Sequence, residues 1–306
     1  MLSEIFVEPF ADMVAAPDFL MQVLWEGLVS GILYALIALG FVLIYRSSRI
    51  FNFAQGIMVV FAALTLVGLH EAGVPAWVSV VLTLGVMFVL AVVVERVVLR
   101  PLVGQPDIIL FMATIGITLF LIGFGEIIFG GENKVMITQE LGIPTDSVVF
   151  EPFGGLLILE QKDITAAGIA ALLVIGLLLF LNKTRMGRAI RALGDDHQAA
   201  MSVGISLQTI WVLVWFIAGI IALVTGIAWG ARAGVSFALE VIAYKALPVL
   251  MLGGLMIGML EKLFEIYWGQ PLLGGNTETW FAFMLALVVL LFRPQGLFGE
   301  RIIERV

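Results

Sequence analysis

Seven stretches of this 306-residue chain are so apolar, and so evenly spaced, that a lipid bilayer is the solvent they suit; the clearest are Gly27 to Tyr45, Ala76 to Val94, Ile108 to Ile128 and Ile210 to Ala231. About 20 apolar residues at ~1.5 Å rise cross the ~30 Å hydrocarbon core, where backbone polar groups must be satisfied inside a helix. The expected fold is all-α: a polytopic transmembrane helix bundle of about 8 spans. Composition agrees, with 61% hydrophobic and 13% charged residues, against roughly 25% charged in a soluble domain. There is no cysteine, which excludes disulfides, thiol catalysis and Cys-ligated zinc or iron-sulfur centres.

Lys and Arg in short loops mark the cytoplasmic side of a membrane protein. Here Arg46 and Arg49, then Arg96 and Arg100, then Lys183, Arg185, Arg188 and Arg191, then Arg293, Arg301 and Arg305 form basic groups. The segments between them carry mostly acid: the amino terminus, residues 70–75 and residues 131–163. This alternation places the amino terminus outside and the carboxyl terminus in the cytoplasm. The first 23 residues hold Glu4, Glu8, Asp12 and Asp18 without a Lys or Arg, unlike the start of a cleaved signal peptide. They are expected to form an extracytoplasmic segment at the membrane surface, ahead of a single transmembrane domain over 24–306. The outer loop 131–163, with Pro144, Pro152 and the pair Gly154 and Gly155, is long enough for a small folded excursion. A docking surface and a solvated connector both fit it.

A parity problem follows Ala231, because an inside carboxyl terminus needs an odd number of further crossings. Only two apolar runs remain, Ala246 to Leu260 and Trp280 to Phe292, and both are short for a span. A re-entrant or truncated segment near 246–260 is expected.

Two polar regions stand out. The largest inner loop, 182–208, reads NKTRMGRAIRALGDDHQAAMSVGISLQ. Asp195 and Asp196 suit a helix start, His197 to Val203 makes about two turns, and Gly204 suits a left-handed end. Ala199 and Ala200 would present a smooth face, and Arg188 and Arg191, within one turn of each other, would meet acidic groups on a partner. An ordinary positive-inside loop is the plainer alternative. The second region, RSSRIFNFAQGIM, gathers Arg49, Asn52, Gln55 and Gly56, and amides at a membrane boundary are costly unless paired or hydrated. Asn52, Gln55 and Gly56, with Thr114 and Thr118 on one helix face and the pair Gly253 and Gly254, are the candidates for a translocation path. Close packing and back-bonding to the helix are the plainer explanations for these glycines and threonines.

The stretch Gln198 to Gly204, QAAMSVG, resembles the EAA loop of ABC importer permeases, with Gln in place of its Glu. Four blocks in order, GLVSGILYALIALGFVLIYRSSRIFNFAQG, TRMGRAIRALGDDHQAAMSVGI, ALPVLMLGGL and RPQGLFGERIIERV, resemble LivH-type permeases of branched-chain amino acid ABC importers, and the likeness runs from Gly27 to Val306. The resemblance implies a permease subunit of an ATP-driven importer in the bacterial inner membrane, passing Leu, Ile and Val from a periplasmic substrate-binding protein. It implies a coupling helix that carries Arg188, Arg191, Asp195, Asp196, His197, Ala199, Ala200 and Gly204 to an ATP-binding subunit. The implied partners are a second, LivM-type permease, two ATP-binding subunits that use ATP and Mg, and membrane lipid, with no nucleic acid. The family is also similar to permeases for urea and short-chain amides, an alternative substrate class. An ion-coupled secondary carrier is a further alternative, but it would bury ionisable residues near the membrane middle, and none is evident in the sequence. No HExxH, nucleophile elbow or GxxxxGK[ST] loop occurs, so no catalytic, cofactor or metal residue is expected and no ATPase site of the usual kind. The family pattern also carries a Gly-rich loop after Leu252 to Leu255 that this chain lacks, so a missing internal segment after Leu255 is expected.

Overall fold

The structure, a computed structural model, describes residues 7–49, 51–151 and 155–293. Its helices are α1 (Glu8–Ala15), α2 (Pro17–Ser48), α3 (Gln55–Glu71), α4 (Ala76–Val93) and α5 (Asp107–Phe129). A two-stranded hairpin follows, β1 (Ser147–Phe150) with β2 (Leu157–Glu160). Then come α6 (Gln161–Lys183), α7 (Arg185–Asp195), α8 (His197–Ser202), α9 (Leu207–Ala233), α10 (Leu239–Tyr244), α11 (Ala246–Leu252), α12 (Gly254–Phe264), α13 (Gln270–Leu273) and α14 (Glu278–Phe292). A π turn over Val94–Leu99 extends α4, and another over Glu265–Gly269 joins α12 to α13.

Among the described residues, five helices are long and apolar enough to cross a membrane: α2, α4 with its extension, α5, α6 and α9. The apolar pair Leu239–Val249 and Gly254–Leu273, bent by 116°, makes a sixth only if its two halves count as one span. The polytopic all-α bundle holds. A count of about 8 needs α3 and α14 as spans too, and they are only 17 and 15 residues long; length alone does not make those two spans.

The start of the chain differs from expectation. Pro17 opens α2, where a missing N–H costs nothing, and the helix then runs unbroken for 32 residues. No break falls at residues 23 and 24, and α1, with 8 residues, is what the described structure retains of a surface helix; residues 2–6 lie outside the described part. The segment near 246–260 is a helix broken at Gly253, where φ is +87° and the chain turns from α11 into α12. Leu255 to Ile257 sit in the first turns of one continuous α12.

The chain forms two compact units. One takes Met1–Ala38, Thr145–Ala167 and Lys245–Val306. Its seam pairs Gly27 and Gly31 on α2 with Gly254 and Gly258 on α12. A methyl at Gly258 would lie 2.2 Å from the Gly27 carbonyl oxygen, and one at Gly31 would lie 2.5 Å from that of Gly254. Small residues four apart on both helices let the backbones touch, the form of contact that membrane helices favour. The hairpin belongs here too: Ser147 pairs with Glu160 and Phe150 with Leu157, and the Ile158 N–H donates to the Gln22 side-chain carbonyl at 3.0 Å.

The other unit takes Leu39–Pro144 and Gly168–Tyr244. At its centre is α3, buried on every side from Gln55 to Val67 and packed against α4, α5, α9 and α10. A helix apolar all round belongs inside protein, which is why a short one suffices. Gly226 of α9 lets α3 approach, since a methyl there would lie 2.7 Å from the Val59 carbonyl oxygen. The first part of the outer loop joins this unit through Lys134, which pairs main chain to main chain with Val235 at 2.9 and 2.7 Å. The outer loop is thus folded, and divided between the units.

Candidate coupling segment and translocation path

Residues 185–202 form two short helices with separate start signals. The Thr184 hydroxyl accepts the Gly187 N–H at 2.9 Å and caps α7. Asp196 caps α8, its carboxylate accepting the Ala199 N–H at 3.0 Å. Gly204, at φ +86°, follows the second helix. The caps expected from sequence are therefore divided: Asp195 is the last residue of α7 and Asp196 does the capping.

Helix α7 is the element missed in the sequence, and it is the anchor. Ile190 and Leu193 are buried. Gly187 lies against the end of α6, where a methyl would meet Leu181 Cα at 2.4 Å, and Gly194 lies against the end of α2, where a methyl would stand 2.2 Å from the Arg46 carbonyl oxygen. Arg49 donates from Nη2 to the Gly194 carbonyl at 2.8 Å, and its own backbone sits at φ +57° where α2 ends, a conformation uncommon for a residue with a Cβ. The amphipathic repeat of RMGRAIRALGD was the signal available for α7.

The exposed groups are fewer than the sequence indicated. Ala199 is exposed, whereas Ala200 is buried at 4%, so only one of the two alanines faces outward. Arg188 is exposed, and Arg191 donates to the Asn182 side chain at 2.6 Å. The side chains of His197 and Gln198 lie outside the described part.

The second polar region sits at the turn from α2 into α3. Asn52 is buried and its side-chain Oδ1 accepts the Ala54 N–H at 3.0 Å, closing the turn. Gln55 is fully buried and fits against Gly40, where a methyl would strike its amide at 2.3 Å. Its amide N–H lies 3.4 Å from the Ala218 carbonyl, and its own oxygen has no partner. A buried amide oxygen without a hydrogen bond is unfavourable by roughly 1–3 kcal/mol. Gly56 makes room for α10, with Ala243 Cβ 2.9 Å from where its methyl would be. Thr114 accepts the Phe53 N–H at 3.2 Å and its hydroxyl stands 2.8 Å from the Phe111 carbonyl; Thr118 donates back to the Thr114 carbonyl at 3.0 Å. Both threonines are buried and take structural bonds. Of the candidate path residues, Asn52, Gln55, Gly56 and Thr114 share one neighbourhood in this unit. Gly253 and Gly254 belong to the other unit, where Gly253 makes the break and Gly254 makes the seam with α2.

That unit also holds a cluster invisible to the apolar-run reading. Lys245 donates to Glu261 at 2.6 Å, and Tyr34 donates to the same carboxylate oxygen at 3.2 Å. Lys245 is 7% exposed, Glu261 1% and Tyr34 2%, and Tyr34 lies near the middle of α2. The sequence reading that ionisable residues are not buried here is therefore corrected. Desolvated charges are tolerated when they neutralise each other, and one glutamate oxygen still lacks a bond. The pair ties the residue before α11 to α12 across the break at Gly253.

Comparison with known proteins sets this architecture in a family. A family model described as the branched-chain amino acid transport system permease component matches residues 23–292. The chain belongs to that family. Among its relatives is the high-affinity branched-chain amino acid transport system permease protein BraD of Pseudomonas aeruginosa, 30% identical over 94% of this chain and 98% of that protein. LivH of Escherichia coli is 26% identical with the same coverage. A probable LivH of Methanocaldococcus jannaschii is 28% identical over 87% of this chain and 89% of its own length. As a member of the branched-chain permease family this chain is a multi-pass helical membrane permease, and family members work as subunits of ABC importers beside ATP-binding and substrate-binding proteins.

Proposed function

We propose that this chain is a LivH-type permease subunit that carries Leu, Ile and Val across the bacterial inner membrane, delivered by a periplasmic binding protein and driven by ATP and Mg on two partner subunits. A second, LivM-type permease completes the pathway. The observation that carries this reading is the α7–α8 segment: a short, separately capped helix presenting an exposed Ala199, held by a second helix that is fixed to the ends of α2 and α6.

In this reading α8 rests in a groove of an ATP-binding subunit on the cytoplasmic side, where the neighbouring basic residues place it. A small side chain there allows close contact, and exposed Arg188 adds a charge for acidic groups on the partner. Closure of the ATP-binding subunits moves α7. The backbone contact of Gly194 with Arg46, and its bond from Arg49, pass the movement to the α2–α3 turn. Gln55, with an unbonded amide oxygen, gains a partner when that region opens to substrate, and Asn52 and Gly56 move with it. The broken helix at Gly253 bends on the other unit, with Lys245 and Glu261 as its latch. Lys245 already neutralises the Glu261 carboxylate from within the chain, which sets the pair apart from the uncompensated carboxylate an ion-coupled carrier needs.

The test is purification of the tagged chain from its native membrane with its partners identified by mass spectrometry. Ala199→Glu is the variant of choice, because Ala200 is buried and its substitution would disturb α8 itself. Two ATP-binding subunits present with the unaltered chain and lost with Ala199→Glu is the expected result. A chain that purifies alone and transports leucine in vesicles without ATP overturns the proposal.

A further inference from the structure

The carboxyl-terminal end of α4 carries an ion pair that the transport reading does not use. A π turn spaces its repeat at five residues, and over Val94–Leu99 this lays Arg100 on Glu95. The guanidinium binds the carboxylate twice, Nε to Oε1 and Nη2 to Oε2, each at 3.0 Å. The Glu95 side chain is 2% exposed and that of Arg100 is 42% exposed. The carboxylate is thus sealed in, while the Nη1 edge of the guanidinium has no protein partner among the described residues.

Beside this pair is a groove of about 410 Å³, with Glu95 and the Arg100 that neutralises it, Gln208 and Thr209 at its polar end and Phe88 and Phe216 along its wall. The Gln208 side chain is exposed and has no hydrogen-bond partner among the described residues. Leu213 and Phe216 also line a second cavity of about 310 Å³ that runs between α6 and α9 and is lined only by apolar residues such as Leu177 and Ile217. The two together form a trough, charged and polar at one end and wholly apolar at the other. Its α6 wall belongs to the span least covered by this chain, with 11% of its apolar window buried.

We propose that this trough binds a glycerophospholipid, with the phosphodiester held by Arg100 and Gln208 and one acyl chain lying along Phe216 between α6 and α9. A guanidinium with one edge tied to a buried carboxylate keeps its orientation, and its free edge matches the paired oxygens of a phosphodiester. Gln208 adds a donor from the first turn of α9, beside Thr209, whose hydroxyl and main-chain N–H are both taken by Ser206 Oγ. The apolar half takes a hydrocarbon chain that water would not fill. Met186 of α7 lines the same groove, so the bound lipid touches the helix that carries α8 and braces it. This inference is independent of the transported solute.

The test uses the complete transporter complex, delipidated in detergent and examined by native mass spectrometry after adding phosphatidylglycerol, phosphatidylethanolamine or diacylglycerol of the same chain length. Arg100→Gln removes the phosphate contact, Ile217→Trp fills the apolar half without touching the ion pair, and Arg293→Gln removes a basic residue outside the trough lining. The expected result is one tightly held phospholipid per copy of this chain, diacylglycerol bound at least tenfold more weakly, retention cut at least tenfold by Arg100→Gln and by Ile217→Trp, and no change with Arg293→Gln. Diacylglycerol held as well as the phospholipids would overturn it, as would unchanged retention in Ile217→Trp. Should Arg100→Gln not assemble, Arg100→Lys and the Ile217→Trp arm decide, because neither leaves Glu95 without a cation.

Discussion

The α2–α12 seam and the α7–α8 segment are both built on small residues, and they use them in opposite ways. In the seam, Gly27, Gly31, Gly254 and Gly258 face backbone, so any side chain would collide with main-chain atoms that have nowhere to go. In the segment, Gly187 and Gly194 make the same kind of contact and fix α7, while Ala199 in α8 stays exposed and Gly204 has open space around its missing Cβ. Glycine and alanine in a membrane protein therefore carry two messages. One is a fixed joint, and the other is a smooth surface kept clear for something else.

Variants sharpen this contrast. The largest expected effect is Lys245→Met in the seam unit, which strands the buried Glu261 carboxylate; loss of one partner of a buried pair costs about 3–5 kcal/mol. Thermal unfolding of the purified complex reads it, and the charge-free double variant Lys245→Met with Glu261→Leu should recover most of the loss. No recovery in the double variant would mean that the pair is not coupled. Next is Gly258→Leu, which drives a side chain into the α2 backbone and should lower stability by about 1–3 kcal/mol or prevent assembly. Gly85→Leu in α4, where nothing lies within 4 Å, is its control and should leave the unfolding temperature in place.

Smaller effects are expected in the segment. Asp196→Ala removes the α8 cap, a change of about 1 kcal/mol, visible as faster amide exchange at residues 199–202 with the rest of the chain unaltered. The smallest change in stability belongs to Arg49→Gly, since glycine adopts the left-handed backbone at that position more easily while the bond to the Gly194 carbonyl is lost. Its unfolding temperature should barely move, yet substrate-stimulated ATPase activity of the complex should fall severalfold. Unchanged stimulation would place the transmission elsewhere.

How much of this was legible in the sequence follows from what each signal depends on. Long apolar runs depend on the solvent alone, so α4, α5 and α9 were found with near-correct limits, while the run from Gly27 to Tyr45 caught only the later part of α2. The start and end of α8 depend on local caps, and Asp196 and Gly204 were readable. Pairings between distant residues leave no local mark: nothing near Lys245 shows that Glu261 neutralises it, and nothing in GLVSG shows that GLMIG lies against it. The same blindness hid the roles of Thr114, which holds the Phe51 to Phe53 turn, and of Ala200, whose burial turns on packing around it. A short buried helix such as α3 also defeats a length rule, because its walls are protein.

The most direct measurement on the α7–α8 segment is site-specific cross-linking from Ala199→Cys, made clean by the absence of any native cysteine. The chain would carry this one thiol within the complete complex, with Val135→Cys in the exposed outer loop as the comparison. Cross-links from position 199 to an ATP-binding subunit, changing in yield with ATP and absent from position 135, are the predicted result. Cross-links from position 135 alone, or none from 199 in an assembled complex that hydrolyses ATP, would contradict it.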